Sequence, residues 1–197
     1  MASELQVTTI RGVPTGANAN QINIGSGQTL YAPGHVIQTL QVKGTGGLAN
    51  NAASAWTNLM NINITPVSTS SKIQVSVIVC YGGTDNSYAA GRLLRTIGGS
   101  GTVLRNGNAH FPETRFTDAS FGMQMNASAN DQYKIWNTTY NYLDSPNTTS
   151  QITYAVEMLC DASYGSRVVY YNRSHLNPSD GYNPPPWSSI TLQEIAQ

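Results

Sequence analysis

From residue 35 onward, hydrophobic and polar positions alternate in short runs broken by Gly, Pro, Asn and Ser. The clearest run is "KIQVSVIVCYG" (72–82), with Ile73, Val75, Val77 and Val79 on one face and Ile78 and Cys80 on the other. A second is "QITYAVEML" (151–159). Here Ile152, Tyr154, Val156, Met158 and the following Cys160 share a face, while Gln151, Thr153, Ala155 and Glu157 fall mostly on the other. Period-two alternation of this length predicts half-buried β-strands. The same pattern, less regular, occurs at 35–42, 57–66, 91–98, 101–105, 133–143, 167–172 and 188–195. Gly98-Gly99-Ser100 reads as a hairpin turn between two of these runs. Asp144-Ser145-Pro146-Asn147-Thr148-Thr149-Ser150 reads as a rigid, wholly polar turn that fixes the register of the strand after it. The best helical candidate is Leu48–Trp56, and its Asn, Gly and Ser neighbours favour a loop or a single turn. Short strands with Gly- and Pro-rich connections predict an all-β fold, an antiparallel β-sandwich of jelly-roll-like form.

The first 33 residues differ. "LQVTTI" and "INIGSGQTL" alternate briefly, are polar, and are interrupted by Gly and Pro, so neither can bury a face alone. The predicted organisation is an N-terminal docking and oligomerisation arm over 1–33, then a β-sandwich knob over 34–197, with Pro33-Gly34 as the hinge. Fully extended, such an arm reaches at most about 110 to 120 Å, too short for a long fibre shaft.

Composition sharpens this picture. Charged residues are only 10% of the chain, and ten basic residues balance ten acidic ones; soluble domains usually carry about 25%. Nucleic acid and membrane insertion are therefore not expected, since phosphate backbones and anionic lipids select clustered Lys and Arg, and no apolar run has the length of a membrane span. A surface of Asn, Ser, Thr, Gln and Gly suits protein assembly, because few charges lose water when subunits meet. "MASELQVTTIRG" has no basic segment followed by an apolar one, so no signal peptide is expected. On that basis Cys80 and Cys160 are expected as free thiols, and the Asn-x-Ser/Thr sites at Asn63, Asn126, Asn137, Asn147 and Asn172 reflect composition. The segment 177–187, "NPSDGYNPPPW", reads as a stiff surface loop before the last strand.

No catalytic, cofactor-binding or metal-ligating set emerges. His35, His110 and His175 lie in separate segments without ligand spacing. "GSGQT" and "GGSGT" lack the lysine of a phosphate loop. Asp118, Asp131, Asp144, Asp161 and Asp180 are a conceivable source of a carboxylate pair, but each sits in a turn context where bonding to the local backbone accounts for it. Tyr81, Tyr88, Tyr164, Tyr182 and Trp187 lie among Asn, Asp, Gly and Ser, a combination that suits either sugar faces or subunit interfaces.

Several stretches carry a resemblance. "MASELQVTTI", "ANQINIGSGQTLYAPGHVIQTLQV", "ITPVSTSSKIQVSVIV", "YLDSPNTTSQITYAVEM" and "SSITLQEIAQ" together resemble small structural proteins of tailed phages, particularly cyanophages and their relatives. The resemblance implies a tail-fibre or head-appendage protein, usually trimeric, with a β-rich knob and no catalysis. Loops 82–91, 106–131 and 174–187 depart from the family pattern, so no binding residues carry over. The expectation is a non-enzymatic virion protein, assembled in the host cytoplasm. It would be a homotrimeric short fibre or knob held by its arm to tail, baseplate or major capsid protein, with a host-surface glycan as a further partner. The alternatives are a capsid decoration protein and a lectin-like receptor-binding module.

Overall fold

All strand pairings are antiparallel, and they sort the strands into two sheets. The computed structural model describes residues 32–46, 49–50, 55–84, 88–105, 118–124, 133–160, 168–176 and 186–197. The predicted arm, apart from Ala32 and Pro33, lies outside them. The strands are β1 (Val36–Gly44), β2 (Ala49–Asn50), β3 (Thr57–Ile64), β4 (Lys72–Gly83), β5 (Tyr88–Ile97) and β6 (Ser100–Leu104). They continue with β7 (Phe121–Gln124), β8 (Trp136–Asp144), β9 (Ile152–Cys160), β10 (Val169–Tyr171) and β11 (Ser188–Ile195). There is no helix among the described residues.

In the first sheet β11 lies between β1 and β4, and β8 lies on the far side of β4; β10 continues the line of β11 beside the end of β4, with β2 outside it. The second sheet runs β3, β9, β5, β6, with β7 joining β5 beyond β6. Taking β1, β3, β4, β5, β6 with β7, β8, β9 and β11 as successive long strands gives a simple rule. The first, eighth, third and sixth form one sheet, and the second, seventh, fourth and fifth form the other. That order is the eight-stranded jelly roll of two Greek keys.

The predicted alternation is what packs the sandwich. Ile73, Val75, Val77 and Val79 of β4 are essentially inaccessible, as are Ile152, Tyr154, Val156, Met158 and Cys160 of β9 and Ile190 and Leu192 of β11. One continuous core joins both sheets, and each such side chain contributes about 1.5–3 kcal/mol by leaving water. Two expectations need correction. Ala155 and Leu159, on the other face of β9, are buried too, so this central strand is covered on both sides rather than half-exposed. The β5–β6 turn is Gly98-Gly99 alone, because Ser100 already pairs with Ile97; both glycines have positive φ, 55° and 84°, the two-residue type I′ geometry that suits strand twist.

Strand direction gives the sandwich two unlike ends. The connections β3–β4 (65–71), β5–β6 (98–99) and β8–β9 (145–151) are short and lie at one end. The chain also enters there: His35 N–H donates to Ala32 C=O around the Pro33-Gly34 turn, Gly34 N–H to Ala196 C=O and Ala196 N–H to His35 C=O. Gly34 takes φ 81°, as the third position of a Pro-Gly turn requires. The connections β1–β3, β4–β5, β7–β8 and β9–β11 all leave from the opposite end.

Candidate functional site

Each described carboxylate outside the arm is held by a structural partner. Asp144 is 4% exposed. It accepts from Arg95 Nη1 at 2.7 Å and from the Tyr154 hydroxyl at 2.7 Å, which ties β8 of one sheet to β5 and β9 of the other. The expected turn-local bonding of this residue is therefore incorrect: Asp144 pairs with Ile73 on the inward side of β8, so its side chain points away from the turn. Glu194 is fully buried and accepts from Gln38 Nε2 at 2.6 Å and Val67 N–H at 2.7 Å. Glu157 meets Arg92 at 2.5 Å, and Arg92 in turn lies 4.5 Å from the Trp56 ring centre. Asp118 pairs with Arg105 at the surface. Asp131, Asp161 and Asp180 lie outside the described residues.

His35 is exposed at the chain entry, His175 lies beside Tyr170 with ring centres 5.4 Å apart, and His110 lies outside the described residues. No group of His, Cys, Asp and Glu able to hold a metal ion occurs among the described residues. No helix among them is long and apolar enough to cross a membrane. Cys80 and Cys160 are both free thiols, the first half-buried and the second buried. Burial pushes the Cys80 thiol above its ordinary pKa, partly opposed by the Ser188 hydroxyl.

The aromatic candidates separate. Tyr81 is buried in the core, where loss of water raises its pKa. Tyr88 is half-buried in β5, and Tyr164 and Tyr182 lie outside the described residues. Trp187 is 62% exposed, the most accessible large hydrophobic side chain described, with Lys43 Nζ 5.4 Å from its ring centre.

Trp187 belongs to a surface that sequence inspection had no means to assemble. Cross-strand register places Thr39, Gln41 and Lys43 of β1, Ser189, Thr191 and Gln193 of β11, Gln74, Ser76 and Ile78 of β4, and Asn137, Thr139 and Asn141 of β8 on the outer face of the first sheet. Ile78 and Leu143, 44% and 48% exposed, are apolar on this face. Its strand positions include Lys43 and Lys72 and no carboxylate. At the long-connection end, Tyr170 of β10 lies opposite Gly82, whose outward side is covered by the backbone of Arg173, Ser174 and Lys134, and Arg173 Cζ lies 4.1 Å from the Tyr170 ring centre.

No family model matches the chain, and no curated protein matches it. Solved structures do. A structure of the infectious bursal disease virus Gx strain is similar over 93% of this chain, at 8% identity and a TM-score of 0.45. The infectious bursal disease virus VP2 subviral particle covers 90% at 10% identity and TM-score 0.44. The T=1 particles derived from infectious bursal virus cover 92% at 9% identity and TM-score 0.45. This chain spans 42% of the length of each of those chains.

Proposed function

We propose that this chain is a non-enzymatic structural protein of a tailed-phage virion. In this reading it forms a homotrimeric short fibre or knob-like appendage, fixed through its N-terminal arm. The observation that carries this reading is the polarity of the sandwich: the chain enters at one end, and the three longest connections, β1–β3, β7–β8 and β9–β11, all leave from the other. An arm docked on the particle then presents the long connections outward, in the manner of an attachment module. The low charge of the whole chain, 10% of its residues, supports assembly, with exposed Ile78 of β4 and Leu143 of the edge strand β8 as the apolar contribution to a neighbour's contact. Deleting residues 1–31 tests the docking role: the truncated chain stays folded and fails to enter particles. Normal incorporation of the truncated chain rejects it. Where label appears on intact particles then separates a tail or baseplate appendage from a capsid decoration protein.

A further inference from the structure

We propose that the long-connection end of the outer sheet face binds an acidic oligosaccharide, with Trp187 as the stacking surface and Lys43 and Arg173 as the cations that select its carboxylates. The proposal deepens the attachment role above and rests on that reading only for its biological setting. Two independent observations carry it. The first is the exposure of Trp187, 62% accessible although it directly precedes a strand whose first residue, Ser188, is fully buried and hydrogen-bonded to Asn172 at 2.6 Å. The indole is thus presented by a rigid base. A flat apolar ring on a fixed support is what the face of a sugar stacks against.

The second is charge. At this end the outward strand positions bear Lys43 and no carboxylate, Lys72 lying at the other end opposite Ile195, and the Arg173 guanidinium stands over the Tyr170 ring. The face therefore complements an anionic partner. Two sparse cations, Lys43 beside Trp187 and Arg173 beside Tyr170, suit spaced sugar carboxylates better than a continuous phosphate backbone, which selects many clustered basic groups. Register sets the spacing: Lys43 and Ser189 are cross-strand partners, Trp187 lies one pleat beyond Ser189, and Tyr170 lies about one further pleat along, level with Gly82. A pleat repeat of two residues is about 7 Å, comparable with a sugar ring. Gln41, Thr191 and Asn137 supply neutral donors and acceptors for hydroxyls nearby.

The test uses the full chain in solution, titrated calorimetrically with tetragalacturonate and, separately, with cellotetraose. The expected result is binding of the uronate that weakens with added salt, at least about tenfold weaker binding of the neutral sugar, and a loss of about tenfold or more in Trp187→Ala. Lys43→Gln weakens the uronate by a smaller factor, and both variants keep the parent melting temperature because the indole and ammonium are at the surface. Equal binding of the two sugars, binding unaffected by Trp187→Ala, or no binding of either overturns the proposal. So does a change of oligomeric mass in Trp187→Ala, which makes the face a subunit interface. None of these outcomes bears on incorporation into particles, so the two readings fail separately.

Discussion

Asp144 shows how far a single side chain can differ from what its neighbours in sequence suggest. In Asp-Ser-Pro-Asn it reads as a turn former, yet it is the buried acceptor for Arg95 and Tyr154 across the two sheets. Removing one partner of a buried pair leaves the other charge without compensation, so Asp144→Ala is expected to cost about 3–5 kcal/mol, read from the shift in urea midpoint. Tyr154→Phe, which loses one hydrogen bond, costs about 1 kcal/mol. Tyr154 also fixes a pH dependence. Burial first, and then its hydrogen bond to Asp144, raises its pKa far above the ordinary tyrosine value, and burial raises Tyr81 and Tyr171 as well. The unfolded chain therefore loses these protons before the folded one does. The stabilisation is complete below the ordinary tyrosine pKa of about 10 and is lost as pH rises above it. Urea midpoints measured from pH 8 to 11 should be flat and then fall, and Tyr154→Phe should make the fall shallower. None of this was legible from sequence, because the partners of Asp144 are 49 and 10 residues away and only the inward register of β8 brings them together.

At the scale of elements, every strand of eight or more residues was legible, and so were the short β6 and β10, read at 101–105 and 167–172. The strands of eight or more residues were recognisable because one buried face imposes alternation that no turn or helix sustains. β2 and β7, two and four residues long, were not read; they have little apolar alternation of their own and pair with the edges that β10 and β5 offer them. The outer face of β9 was misjudged for a related reason: Ala155 and Leu159 are covered by three-dimensional neighbours that a pattern along one strand does not register. Turn chemistry was clearer. Gly98 and Gly99 both occupy the left-handed region, so Gly99→Val should cost about 1–2 kcal/mol, while Gly98→Asn should be nearly neutral. Gly44 is constrained by space instead, since a Cβ there would lie 1.5 Å from the Tyr171 hydroxyl oxygen. Gly44→Ala must displace that buried ring, and a melting temperature below that of Gly99→Val would show that steric exclusion outweighs backbone strain.

For the whole molecule, the jelly-roll class was legible from strand count and spacing, whereas its two-ended character needed the pairing of strands. The outer-face platform was likewise hidden, since Lys43, Tyr170 and Trp187 are neighbours only through register. The assembly prediction belongs here: light scattering on the intact chain should give three times 21.2 kDa, and a monomer at micromolar concentration rejects the trimer. The clasp between β1 and β11 has a further consequence. It joins residues near 40 to residues near 190, and β4 cannot acquire its neighbour β11 any earlier. Contacts so distant along the chain require a large loop to close before they contribute any stability, and folds dominated by them form in milliseconds to seconds rather than microseconds. Until residues 188–195 take their place between β1 and β4, both strands present open edges that another chain can occupy. The time that the last strand takes to arrive thus sets the interval in which copies of this protein are most exposed to mispairing.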